Sequence, residues 1–182
     1  YLDRMFKGAE KIISPSAYFV HYFKSKYDVI EIPNTLKYAH YYPASPANRQ
    51  HILYFRTFHK FYDPNTLIKA FALLAQEFPK ATLNMYGYDE DGNKTTCEKL
   101  IHELKLEERV FMYDRVNKED IPRFADRYGT YVNSSVVDNT PVSTMEAMAM
   151  GMSIVATTTG GIPFLLKDGV TALLVPPQDP EA

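Results

Sequence analysis

Residues 130–156 read TYVNSSVVDNTPVSTMEAMAMGMSIVA, and this stretch decides the fold. An apolar strand at Thr130–Val132 runs into a polar loop, a helix at Pro141–Met150 and a second apolar strand at Ser153–Ala156. A strand, a helix and a strand joined by short connections form a βαβ unit, which requires parallel strands and a right-handed crossover. Thr140 suits the helix N-cap, Pro141 the first helical position and Gly151 the C-terminal cap.

The same rhythm extends in both directions. Strands are expected at His51–Phe55, Thr82–Tyr86, Val110–Tyr113 and Ala172–Val175, with helices at Pro64–Glu77, Thr95–Lys105 and Asp120–Arg127. Alternation of this kind predicts a doubly wound, Rossmann-like α/β domain over residues 49–182, its parallel sheet covered by helices on both faces. Residues 1–35 read as a separate unit: helix Leu2–Ala9, strand Lys11–Ser14, helix Ala17–Ser25 and strand Val29–Pro33. Its aromatic row (Tyr18, Phe19, Tyr22, Phe23, Tyr27) is read as core or interdomain packing. Residues 36–48, with Pro43 and Pro46, read as a linker.

Composition narrows the function. The 182 residues are 46% hydrophobic and 23% charged, with a net charge of −2. That balance argues against a nucleic-acid or anionic-lipid surface. Cys97 is the only cysteine, so neither an intrachain disulfide nor a cysteine-rich metal site can form, which fits a reducing cytoplasm. No apolar run is long enough to span a bilayer. The chain opens on Tyr1 without a signal-like segment and reads as an internal piece of a longer protein.

In open parallel sheets, ligands sit beyond the carboxyl ends of the strands, which points to the loops after Phe55, Tyr86, Tyr113, Val132 and Ala156. The free N–H groups at the start of the Pro141 helix offer a seat for an anion. Asp138 and Glu146, eight residues apart, can line one pocket with it. Glu146 lies among Met145, Ala147, Met148 and Ala149, so burial is expected, and a buried carboxylate needs a partner. Arg56 and Lys60, directly after the first strand of the domain, are suited to a diphosphate: a forked guanidinium beside a point-charge ammonium. Metal binding is not expected, because the five histidines show no ligand spacing. The acidic turn Asp89–Glu90–Asp91 is read as solvated.

The run Asp138–x7–Glu146, with Ala147–Met148–Ala149–x–Gly151 and then Gly160–Gly161–Ile162–Pro163, resembles the E-x7-E signature of retaining glycosyltransferase family 4 (glycosyl transferases group 1), whose fold is GT-B. Segments resembling that family span nearly the whole chain: Ala9–Ser16, Ile32–Asn34, Tyr86–Asp89 and Leu173–Pro180. The resemblance implies the donor-binding half of a glycosyltransferase that moves a sugar from a nucleotide diphosphate with retention, without metal or cofactor. Glu146 would hold the ribose, and Arg56 and Lys60 the diphosphate. Asp138, with the backbone of Asn139, Thr140 and Val142, would hold the sugar ring and phosphates, and Ser143 opens the same helix. The base would lie near Gly87, Tyr88, Arg115 and Val116. Departures from the family pattern are Phe55 and Asp114 for the commoner Gly, Asp138 for Glu and Phe164 for Glu.

The family further implies an acceptor bound with an N-terminal domain of the same protein, and peripheral attachment at the inner membrane face through that domain is one option it leaves open. The acceptor itself (glycan, lipid-linked saccharide or small molecule) stays open. So do three rivals: a nucleotide-sugar 2-epimerase, a glycoside hydrolase using Asp138 and Glu146 as paired carboxylates, and a non-catalytic nucleotide or sugar-phosphate binding module.

Overall fold

The computed structural model describes residues 2–37, Tyr41 and residues 49–182. Six parallel strands form the main sheet: β3 (His51–Phe55), β4 (Thr82–Tyr86), β5 (Val110–Tyr113), β6 (Thr130–Asn133), β7 (Ser153–Thr157) and β8 (Leu173–Val175). Their order is β5-β4-β3-β6-β7-β8. The chain therefore winds outward from β3 to one edge, returns to the other side of β3 and winds outward again. This is the doubly wound order, with its switch point between β3 and β6.

Period-two alternation along the strands divides the core between two faces. On β3, Ile52 and Tyr54 join Leu67, Ile68 and Phe71 of α3 (Pro64–Glu77) and Cys97 and Ile101 of α4 (Asn93–Glu103). Leu53 points the other way, toward Ala125 of α5 (Ile121–Ala125), Ala147 of α6 (Val142–Ala149) and Ile162 of α7 (Ile162–Leu165). Helices on opposite faces follow from right-handed crossovers that run in opposite directions from β3.

Local chemistry places the helix starts. Asp63 caps α3, its carboxylate accepting from Thr66 N at 3.1 Å and Thr66 Oγ1 at 2.7 Å, with Pro64 in the first turn. Helix α4 begins two residues before the expected Thr95, because Asp91 and Asp89 accept from the backbone N–H groups of Asn93 and Lys94. The helix expected over Asp120–Arg127 is a 3₁₀ turn at Lys118–Asp120 running into the short α5. Helix α6 starts at Val142, one residue later than expected: Pro141 is extended at ψ 105° and takes the N-cap position. The Thr140 hydroxyl, expected to cap this helix, donates instead to the Pro15 carbonyl at 3.2 Å. Gly151, at φ 70°, ends the helix as expected. Helix α7 was not foreseen.

The N-terminal unit contains α1 (Leu2–Lys7), β1 (Ile12–Ser14), α2 (Ala17–Phe23) and β2 (Val29–Glu31). β1 and β2 pair in parallel as a separate two-stranded sheet. Phe6 packs edge-on against Phe23 and Tyr27, while Tyr22 stays 67% exposed. Of the expected linker, Leu36, Lys37 and Tyr41 are described; Pro43, Pro46 and Asn48 lie outside the described residues. Among the described residues no helix is long and apolar enough to cross a membrane.

Core burial sets the stability of the α3 face. Phe71 is 2% exposed, whereas Leu73 on the same helix is 44% exposed. Phe71→Ala is expected to cost about 3–5 kcal/mol and Leu73→Ala less than about 1. Urea unfolding of the two variants measures both, and equal losses would contradict this assignment of faces.

Candidate functional site

A cavity of about 710 Å³ opens at the carboxyl ends of β3, β4 and β6, at the switch point. Its walls come from the loops after these strands, from the start of α6, and from Pro15 and Asn34 of the N-terminal unit.

Arg56 follows β3 directly, and its side chain is largely buried. Its Nη1 donates to Asp138 Oδ2 at 2.8 Å and to Ser143 Oγ at 3.2 Å. The guanidinium carbon lies 4.0 Å from the centre of the Tyr62 ring, a cation–π distance. Burial works against the charge, but the hydroxyl of Tyr131, the Asp138 carboxylate and Tyr62 outweigh it and hold the guanidinium above its usual range. Arg56 is therefore a fixed cation.

Asp138 is held as tightly. Besides Arg56, its Oδ2 accepts from Ser135 Oγ at 3.2 Å and Asn133 Nδ2 at 3.4 Å, and its Oδ1 accepts from Asn139 N at 2.9 Å. The backbone around it is clasped by the β7–α7 turn, where Gly161 N donates to the Asp138 carbonyl at 3.1 Å. A Cβ at Gly160 would stand 2.1 Å from that carbonyl oxygen, and Gly160 also has φ +53°, so the turn can close only on glycine. Gly87 plays the matching part beside Arg56: its Cβ would lie 2.1 Å from the Arg56 carbonyl oxygen.

Helix α6 presents its first turn to the same space. Its first backbone bond runs from Met145 N to Pro141 O, which leaves the N–H groups of Val142, Ser143 and Thr144 outside the helix's own ladder. One turn on, Glu146 is 4% exposed and takes a hydrogen bond on Oε1 from Tyr41 Oη at 2.8 Å. Lys118 Nζ stands 3.8 Å from the same oxygen. Burial raises the Glu146 carboxyl above the usual range, while Tyr41 and Lys118 pull it back in part.

The expected residues thus meet at one place. Arg56, Asp138 and Glu146 line the cavity, as do Asn139, Thr140, Val142 and Ser143. Gly87, Tyr88, Arg115 and Val116 form its far wall. Lys60 is outside this set: it is exposed, does not line the cavity, and its backbone N–H bonds Asp91 at 3.1 Å. It lies in the loop between β3 and α3, which is hydrogen-bonded to the turn after β4 through that contact and through Phe58 N to the Tyr88 carbonyl at 2.9 Å. Asp89, Glu90 and Asp91 are exposed, as expected; Asp91 accepts from Lys60 N and lies 3.6 Å from His59, while Asp89 accepts from Lys94 N of α4. Asp114 faces Lys94 at 3.0 Å. Phe164 packs against Tyr18 at 5.9 Å between ring centres, tying α7 to α2.

Two partners of the Glu146 carboxylate, Tyr41 and Lys118, were missed. Lys118 follows Val116 by two positions, and only its place at the head of a 3₁₀ turn brings it in. Tyr41 lies in a stretch whose sequence gave no periodic signal. Among the described residues no three His, Cys, Asp or Glu side chains gather where they could hold a metal ion.

The sequence pattern of the family described as glycosyl transferases group 1 matches residues 43–182. The chain belongs to that family. It is 29% identical to a D-inositol 3-phosphate glycosyltransferase of Pseudarthrobacter chlorophenolicus, over 94% of this chain and 45% of the relative. Its fold matches sucrose-phosphate synthase from Thermosynechococcus elongatus at a TM-score of 0.88 and 24% identity, covering all of this chain and 49% of that one. The Anabaena protein HepE, solved with UDP and glucose, matches at 0.80 and 23% identity, over 95% and 51%. The chain thus spans about half the length of these proteins.

The raised carboxyl of Glu146 has a consequence for stability. A carboxyl whose folded-state pKa lies above its unfolded value stabilises the fold while protonated and loses that contribution as pH rises through the folded value. Glu146→Gln keeps an acceptor for Tyr41 without the charge. It is expected to be more stable than the wild type at pH 7, the gap closing toward about pH 4, near the ordinary glutamate value. Thermal melts across that range test this; a gap that widens on acidification would contradict it.

Proposed function

We propose that this chain is the donor-binding part of a glycosyltransferase that takes a sugar from a nucleotide diphosphate and transfers it with retention, using neither metal nor cofactor. One observation carries the reading: Arg56, the open N–H groups of α6 and the Glu146 carboxylate line a single cavity at the switch point of the sheet. Arg56 and the α6 amides answer a diphosphate, and Glu146 answers the vicinal hydroxyls of a ribose. A cavity of about 710 Å³ suits a nucleotide-sized ligand. The fold neighbour HepE binds UDP and glucose, which supports a nucleotide-sugar donor here.

The chemistry follows from charge. The bond between the anomeric carbon and the diphosphate oxygen breaks with its electron pair leaving on that oxygen, and positive character builds on the sugar ring. Arg56 is already charged and held by Asp138 and Ser143, so it needs no rearrangement to stabilise the leaving group. A metal ion has no necessary part, because cation and helix terminus supply the neutralisation. The acceptor hydroxyl attacks the face that the diphosphate leaves and surrenders its proton to it, which retains configuration. Asp138 acts in this scheme chiefly by fixing Arg56. That engagement speaks for transfer over hydrolysis by paired carboxylates, which needs Asp138 free to attack.

Arg56→Ala in the full-length enzyme is expected to lower turnover by about 10²–10³, measured on protein shown folded by near-UV circular dichroism. Retention of more than half the wild-type rate in folded variant would contradict the assignment. Calorimetry with UDP, GDP and ADP identifies the base, and binding of none of them would sink the donor reading.

A further inference from the structure

Oε1 of Glu146 is approached from two sides by residues that the diphosphate chemistry does not use. Tyr41, 7% exposed, comes from the crossover between the N-terminal unit and the main sheet and donates its phenolic hydrogen at 2.8 Å. Lys118, at the head of the 3₁₀ turn after β5, places its ammonium 3.8 Å away, a charge contact longer than a hydrogen bond. Its side chain is 64% exposed and lines the cavity, so it is available to ligand as well as to Glu146. No hydrogen bond engages Oε2 among the described residues.

We propose that Tyr41 and Lys118 are positioning residues for nucleotide binding: together they hold one oxygen of Glu146, so that the carboxylate presents the other to the ribose. The inference rests on the nucleotide reading above and deepens it. The two residues divide the work. Tyr41 fixes direction, because its phenol is a donor at any working pH: burial, and then the carboxylate itself, keep its proton on. Lys118 supplies charge, because a carboxylate this buried gives up its proton reluctantly and a nearby ammonium favours the ionised form. A ribose closing over Lys118 shields it from water and strengthens that pull. The other charged groups on the cavity wall are Arg56, Asp138 and Arg115.

The test is calorimetric binding of UDP and of inorganic pyrophosphate to the wild type, Tyr41→Phe, Lys118→Met, Lys118→Arg and Glu146→Gln, and to each of the first two substitutions combined with Glu146→Gln. Tyr41→Phe is expected to weaken UDP about ten- to 150-fold, the range for one hydrogen bond to a charged group, while pyrophosphate, which lacks the ribose, binds unchanged. Lys118→Met is expected to move the acid limb of the UDP pH profile upward, because Glu146 takes its proton at higher pH without the ammonium. Lys118→Arg restores the wild-type limb. Glu146→Gln serves as the reference that removes the ligand's own titration near about pH 6. In the Glu146→Gln background, Lys118→Met is expected to add nothing, and Tyr41→Phe, which there loses only a neutral acceptor, to cost much less than in the wild type.

If Glu146→Gln weakens UDP while Tyr41→Phe and Lys118→Met both bind it as the wild type does, the inference fails and the nucleotide site stands. Equal losses with and without Glu146 also overturn the inference, since the two residues would then act elsewhere. UDP binding that is indifferent to Glu146→Gln removes the ribose contact itself, and the inference fails with it; binding of no nucleotide at all sinks the nucleotide reading.

Discussion

The site depends on one buried ion pair, Arg56 with Asp138, whose side chains are 11% and 8% exposed. It joins the end of β3 to the loop that follows β6, across the point where the sheet reverses its winding. Neither charge tolerates that burial alone, and removing one partner of such a pair costs about 3–5 kcal/mol. The loops are thus bound to a single arrangement, in which a permanent cation faces the start of α6. Asn133, Ser135 and the Asn139 N–H complete the shell around the carboxylate, leaving Asp138 little freedom to do anything but orient its partner.

Close backbone contacts make the arrangement possible. The turn at Gly160–Gly161 lies against the carbonyls of Asp138 and Asn139, and Gly87 lies against that of Arg56, each at a separation where a Cβ would collide. The same approach places α7 near α2, where Phe164 meets Tyr18 and Thr140 reaches the Pro15 carbonyl. The N-terminal unit is accordingly part of the cavity wall through Pro15 and Asn34.

Much of the fold was legible because apolar runs of strand length alternate with helical runs from His51 onward, and a parallel sheet leaves few other solutions. Helix α3 matched to the residue because Asp63 and Pro64 mark its start by local chemistry alone. Where a side chain acts at a distance, the sequence misled: Thr140 resembles a cap but bonds the distant Pro15, and α6 starts a residue late. The same limit governs the site. Arg56, Asp138 and Glu146 belong to patterned stretches and were found. Tyr41 and Lys118 act only through what the folded chain brings beside them, and Lys60, close to Arg56 in sequence, lies outside the cavity.

The central claim is that a diphosphate rests between Arg56 and the opening turn of α6 while the adjoining pentose meets Glu146. The most direct measurement is a crystal structure of the protein with UDP. The account predicts phosphate oxygens within hydrogen-bond distance of the Arg56 guanidinium and the α6 N–H groups, and a ribose hydroxyl on Glu146. A nucleotide bound away from the switch point, or one whose ribose turns from Glu146 toward solvent, would contradict it.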